Sequence, residues 1–140
     1  RDFVCSPIGA CGWTHNIVVY LPGTREAALL YSCHTDSASV SPGAGDDGAA
    51  VAIGVELVRH WVNTPHENSL IFLFDEGEEV GLLGALAFLD SDPRAATVAA
   101  AVNLEARGTA GIPSSSRLRP TAHGWSQRGH LTHRRPSRTA

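Results

Sequence analysis

Apolar positions along the chain fall into short blocks separated by turn residues, and the period inside each block predicts its element. Asn16-Ile17-Val18-Val19-Tyr20-Leu21 is rich in β-branched and aromatic residues and predicts a strand. Pro22-Gly23-Thr24 turns the chain, Ala27 to Cys33 predicts a second strand, and a hairpin is the economical pairing of the two. His34-Thr35-Asp36 stands at the end of that strand, and Ser37 to Gly45 is a loop of small residues. From Asp47 the period lengthens. Val51, Val55, Val58 and Val62 recur on one face of a helix, with Asp46 and Asp47 at its N-terminus, where acids are favoured. Asn63-Thr64-Pro65 ends it. Ser69 to Phe74 predicts a buried strand, and Leu82 to Leu89 a helix ending near Asp90-Ser91-Asp92-Pro93. Val98 to Leu104 predicts another buried strand. Strand and helix alternate, which implies crossovers and a parallel core sheet, made mixed by the N-terminal hairpin. Arg1 to His15, punctuated by Pro7, Gly9 and Gly12, predicts irregular structure.

Beyond Ile112 neither period continues. Pro113 to Ala140 holds Ser114-Ser115-Ser116, scattered Arg and His, and isolated Leu118, Trp125 and Leu131. This divides the chain into an expected domain at 1–112 and an Arg/Ser/Pro-rich tail at 113–140, expected to be disordered. Charge follows the same division: all 14 Asp and Glu lie at or before Glu105, while six of the 11 basic residues, all Arg, lie in the tail. At 140 residues, 43% hydrophobic and 18% charged, the chain is one soluble globular domain at most. The tail lacks the interleaved aromatics of a nucleic-acid arm and the acidic body repels phosphate, so no nucleic-acid partner is expected. No apolar stretch reaches the ~18 residues of a membrane span. Cys5, Cys11 and Cys33 show no CxxC spacing and argue against a zinc knuckle. Cys5 and Cys11 could pair in an oxidising compartment, while Cys33 lies in a strand and reads as a buried thiol.

The chemistry gathers at the predicted strand ends. Asp75-Glu76-Gly77-Glu78-Glu79 places four carboxylates between a strand and a helix, the position where ligands bind in open α/β sheets. Carboxylates packed this closely repel, and a cation resolves the conflict. His34 with Asp36, and Glu105, stand at other strand ends, Asp46 and Asp47 at the helix N-terminus between His34 and Asp75, and an imidazole among carboxylates suits Zn²⁺ or a similar divalent metal. Asp75 and Glu76 are expected to be solvated turn residues, and Asp47 a helix cap or a support for a ligand. His15, His60 and His66 are expected at the surface.

Four stretches in order resemble the M28 zinc peptidases, most closely the bacterial and endoplasmic-reticulum or vacuolar membrane-type branch. They are His34-Thr35-Asp36, Pro42-Gly43-Ala44-Gly45-Asp46-Asp47-Gly48, Phe74 through Gly84, and Asn103-Leu104-Glu105-Ala106-Arg107-Gly108. The resemblance covers about Asn16 to Pro113. It implies a phosphorylase/hydrolase-like three-layer α/β sandwich with a mixed, largely parallel sheet, incomplete at the C-terminus. It also implies two-zinc exopeptidase chemistry on a peptide substrate, most often aminopeptidase, in an extracytoplasmic or membrane-associated setting. Carried over, His34 and Glu105 resemble ligands of the first zinc, Asp46 the bridging carboxylate, and Glu79 a ligand of the second. Glu78 resembles the general base, and Asp36 the group that orients the His34 ring. The peptide bond after the bridging carboxylate is often cis in the family. The family's further His on the second zinc has no counterpart in matching context among His123, His130 and His133, which implies a truncated or frame-shifted sequence after about Pro113. A non-catalytic binding or structural module of the same fold is the alternative.

Overall fold

The structure, a computed structural model, describes residues 1–106, 114–121 and 124–130, the last two ranges as backbone strands. Strands β1 (Asp2–Cys5) and β2 (Cys11–Thr14) pair antiparallel in a small sheet of their own, closed by a Cys5–Cys11 disulfide. The expectation of irregular structure before Asn16 is thereby corrected. The cross-link holds two four-residue strands that are too short to form a stable hairpin alone.

Strands β3 (Ile17–Leu21), β4 (Arg25–His34), β5 (Asn68–Asp75), β6 (Val98–Glu105), β7 (Ser114–Thr121) and β8 (Gly124–His130) form one mixed sheet in the order β3-β5-β4-β6-β7-β8. β4 runs parallel to both β5 and β6, and this parallel core is the one the alternating pattern implies. β3 does not pair with β4. It lies antiparallel to β5, with Ile17 opposite Phe74 and Leu21 opposite Leu70, so the expected hairpin is corrected. The Pro22–Thr24 connection crosses the start of β5 instead of folding back. Gly23 N–H donates to Ser69 Oγ at 3.1 Å and Arg25 N–H to the Glu67 carbonyl at 2.7 Å. β4 can then use both of its edges for parallel partners.

Helix α1 (Ala49–Trp61) covers one face of the sheet, and α2 (Leu83–Ser91) packs on the other, giving three layers. The expected valine stripe of α1 is only half right. Val51 and Val58 pack inward beside Leu57 and Trp61, but Val55 and Val62 are 45% and 55% exposed. The buried face runs through Ala50 and Gly54 because the helix lies hard against the sheet. A Cβ on Gly54 would stand 2.7 Å from the Phe74 ring and 2.8 Å from that of Tyr31, so no larger residue fits without separating helix and sheet.

β7 and β8 continue the sheet past β6 by antiparallel pairing, with Glu105 opposite Ser114 and Pro120 opposite Trp125. The hydropathy pattern predicts no strand there. Pairing satisfies the exposed edge of β6 through backbone groups, which leave no trace in hydropathy. The division at 112 is a reading of the sequence pattern; of the expected tail, 113, 122–123 and 131–140 lie outside the described residues. No helix among the described residues is long and apolar enough to cross a membrane.

Candidate active site

Because β4, β5 and β6 run parallel, His34, Asp75 and Glu105 arrive at one rim of the sheet. His34 is 3% exposed. Its backbone N–H donates to Asp47 Oδ2 at 3.3 Å, and its Nδ1 lies 2.9 Å from the Asp36 carbonyl oxygen. A carbonyl only accepts, so Nδ1 carries the proton of the neutral ring and Nε2 presents its lone pair to the rim. Nε2 stands 3.0 Å from Asp46 Oδ1 and 3.5 Å from Glu105 Oε1. Asp46 reaches this point from the turn Ala44–Gly48 ahead of α1, where the Asp46–Asp47 peptide bond is cis.

One ligand-type atom from each of His34, Asp46 and Glu105 lies within 4.8 Å of the others. Among the described residues, His34 Nε2 and Asp46 Oδ1 are buried yet make no hydrogen bond despite their proximity. Buried polar atoms without partners are costly. One imidazole nitrogen beside two carboxylate oxygens is a donor set for a catalytic divalent metal such as zinc, so these residues fit the ion.

The remaining expected residues fall around this group, not in it. Asp36 does not use its carboxylate mainly on the ring, from which Oδ1 is 3.6 Å away. Its two oxygens accept from the Glu78 and Glu79 N–H groups at 3.1 and 3.2 Å and so fix the turn that carries both acids. The Glu79 carboxylate accepts from Ala38 N–H at 2.9 Å and stands outside the three-residue cluster. Glu78 lines a cavity of about 270 Å³ together with His34 and Glu105. His123 and His133 lie outside the described residues, and of His130 only the backbone is described.

One expectation is corrected: Asp75 is no solvated turn residue but 5% exposed. Glu76 is a half-exposed turn residue as expected, and its carboxylate accepts from His15 N–H at 2.8 Å. Asp47 behaves as expected, buried and supporting His34. Charge crowding marks the whole rim. Burial pushes Asp75 up to about 7 and Asp47 up to about 6, and it raises Glu78 as well. Burial opposes protonation of His34, yet the Glu105 carboxylate, the Asp36 carbonyl and the Asp47 and Glu78 carboxylates push its pKa up to about 9. The rim as built calls for positive charge. Sequence reasoning gave Thr14, His15 and Asn16 no role at the site, yet they touch the acidic loop; a threonine, a histidine and an asparagine where β2 passes into β3 carry no signal of such a role.

Comparison with known proteins agrees with this geometry. Residues 16–133 match the model of peptidase family M28. The chain belongs to that family. It is 41% identical over 102 residues to a putative endoplasmic reticulum metallopeptidase 1 of Schizosaccharomyces pombe, a match covering 69% of this chain and 12% of that protein. The endoplasmic reticulum metallopeptidase 1 of Mus musculus is 37% identical over 100 residues, 69% of this chain and 11% of its own length. A vacuolar membrane protease of Schizophyllum commune is 37% identical over 109 residues, covering 76% and 12%. The chain thus spans about an eighth of the length of these curated relatives. No solved structure matches.

Proposed function

We propose that this chain carries the metal-binding core of a zinc-dependent exopeptidase of aminopeptidase type. The observation that carries the reading is the facing pair of buried, unbonded atoms, His34 Nε2 and Asp46 Oδ1, with Glu105 completing the set. His34, Asp46 and Glu105 would hold the first zinc, and Asp46 and Glu79 would contribute to a second. Bound zinc supplies an activated water and polarisation of a carbonyl. Glu78 is the base that takes the proton of the attacking water and returns it to the leaving amine; its place on the wall shared with His34 and Glu105 supports this role. Asp36 acts on that step by fixing the Glu78 N–H. A peptide is the substrate, and the relatives' names together with the Cys5–Cys11 disulfide favour an oxidising, extracytoplasmic or membrane-associated setting.

The rival reading, a binding or structural module of the same fold, draws on one observation: the Glu79 carboxylate is engaged with Ala38 N–H, away from the cluster. Elemental analysis and a fluorogenic aminoacyl substrate separate the two. Expected are about one zinc per chain at low free metal, three protein ligands being the usual catalytic set, loss of that zinc in His34→Ala, and zinc-dependent turnover. Zinc without turnover selects the module. Zinc retained by His34→Ala refutes the centre itself.

A further inference from the structure

The loop from Glu76 to Gly84, which carries Glu78 and Glu79, closes on itself through Gly81 and Leu82 N–H to the Glu78 carbonyl and Leu83 N–H to the Gly77 carbonyl, yet it turns through uncommon backbone conformations. Gly77, Gly81 and Leu82 take φ of 85°, 117° and 62°, and Leu82 is the one non-glycine with positive φ among the described residues. Such a conformation persists only where the surroundings over-determine it. On the metal side Asp36 provides the support. On the opposite side three consecutive residues meet both ends of the loop. The Thr14 hydroxyl, on a side chain buried to 1% exposure, donates to the Glu76 carbonyl at 2.8 Å. His15 N–H donates to the Glu76 carboxylate at 2.8 Å, and Asn16 Nδ2 donates to the Gly84 carbonyl at 2.7 Å. Gly84 ties the ends together: a Cβ there would lie 2.5 Å from Asn16 Oδ1 and 2.6 Å from the Glu76 carbonyl oxygen. Thr14 ends β2, which the disulfide fastens to β1.

We propose that Thr14 and Asn16 are positioning residues for Glu78, clamping both ends of its loop, with the disulfide-closed hairpin as their brace. The loop is thus held between Asp36 in front and the hairpin behind. Losing the hold at the back leaves Glu78 less firmly placed relative to His34 and Glu105. The inference rests on the reading of Glu78 as the base, so its test includes an arm that needs no turnover.

That test compares Thr14→Val and Asn16→Ala with the unaltered full chain, by amide hydrogen exchange and by steady-state kinetics on an aminoacyl substrate. Amides of residues 77–84 should exchange about tenfold faster, the size expected when one buried hydrogen bond is lost, while interior amides of β4 and β5 keep their rates. kcat should fall about tenfold at unchanged KM, the signature of an interaction felt only in the transition state. Thr14→Ser, which restores the hydroxyl, should recover both, and a Cys5→Ser/Cys11→Ser pair should reproduce the loosening if an altered clamp residue fails to fold. Unchanged exchange in 77–84 overturns the clamp, as does acceleration spread equally through β4 and β5. An active chain whose loop loosens without loss of kcat overturns the positioning role. A chain with no turnover at all refutes the Glu78 reading, and the exchange arm then still decides the clamp.

Discussion

The two faces of the sheet are built from alternate residues of the same strands, and they are finished differently. On the α1 face, Tyr31, Cys33, Phe72 and Phe74 meet Ala50, and the Tyr31 hydroxyl donates to the Ala50 carbonyl at 2.6 Å. Gly54 brings the helix axis down onto two aromatic rings. That face is sealed. On the α2 face, Leu30, Leu73, Ala101 and Phe88 form an apolar floor, but the space above it stays open as a cavity of about 270 Å³. Its walls turn polar toward the rim: Ser32 donates to Asn103 at 2.8 Å, and then come His34, Asp75, Glu78 and Glu105. Along β4, β5 and β6 a period of two sends His34, Asp75 and Glu105 to one side, and it sends Tyr31, Phe72 and Phe74 to the other. One face therefore carries stability and the other chemistry, and substitutions should separate the two.

The largest effect is expected on the sealed face. Phe74 is 6% exposed and packs where α1 comes closest, so Phe74→Ala should cost about 3–5 kcal/mol in a denaturant titration. Zinc content per folded chain should not change, because His34 and Glu105 lie on the other face of the sheet. A loss under ~1 kcal/mol would show that α1 does not seal the sheet. On the open face the sign of the trade is reversed. Glu78→Gln should lower turnover at least ~10²-fold, as loss of a positioned base does. Its stability should move by no more than about 0.5 kcal/mol, because it lines a cavity without supporting the core. If zinc is lost instead, Glu78 is a ligand and the roles of Glu78 and Glu79 exchange.

The sequence shows the floor plan of both faces but not which is which. Ser69 to Phe74 and Ala27 to Cys33 are apolar apart from Ser69 and Ser32, so the strands are legible and their alternation is hidden. His34 and Glu105 are legible together because strand ends in a parallel sheet share a rim, whatever the strand order, and Asp46 joins them from a helix N-terminus at the same rim. The strand order itself was not legible. Nothing in Pro22-Gly23-Thr24 distinguishes a tight hairpin from a step across β5, because the deciding contacts, to Glu67 and Ser69, lie more than forty residues on. The α1 stripe was misread for a similar reason: Gly54 counts as no hydrophobic residue, yet it marks the line of closest approach. β1, β2 and the Thr14–Asn16 contacts depend on a cross-link and on hydrogen bonds to a distant loop, which hydropathy cannot record.

The smallest expected effect is also the most direct comparison, a single substitution made once on each face. Ala50 and Ala101 are equally buried, at 1% and 2% exposure. Ala50 sits in α1 under the Tyr31 hydroxyl, in a layer with no room beside it, and a β-branched side chain there is also disfavoured by the helix. Ala50→Val should destabilise by about 1–3 kcal/mol, the usual cost of overpacking. Ala101 lies in β6 on the wall of the cavity, where two added methyl groups enter open space and a β-branched residue suits the strand. Ala101→Val should therefore stabilise, by about 0.5–1 kcal/mol, as cavity-filling changes do. The prediction is the difference in sign, read from two denaturant midpoints under one set of conditions. Equal destabilisation at both positions would mean that the α2 face is packed as tightly as the α1 face, and that the space beside Glu78 and His34 is not available to a substrate.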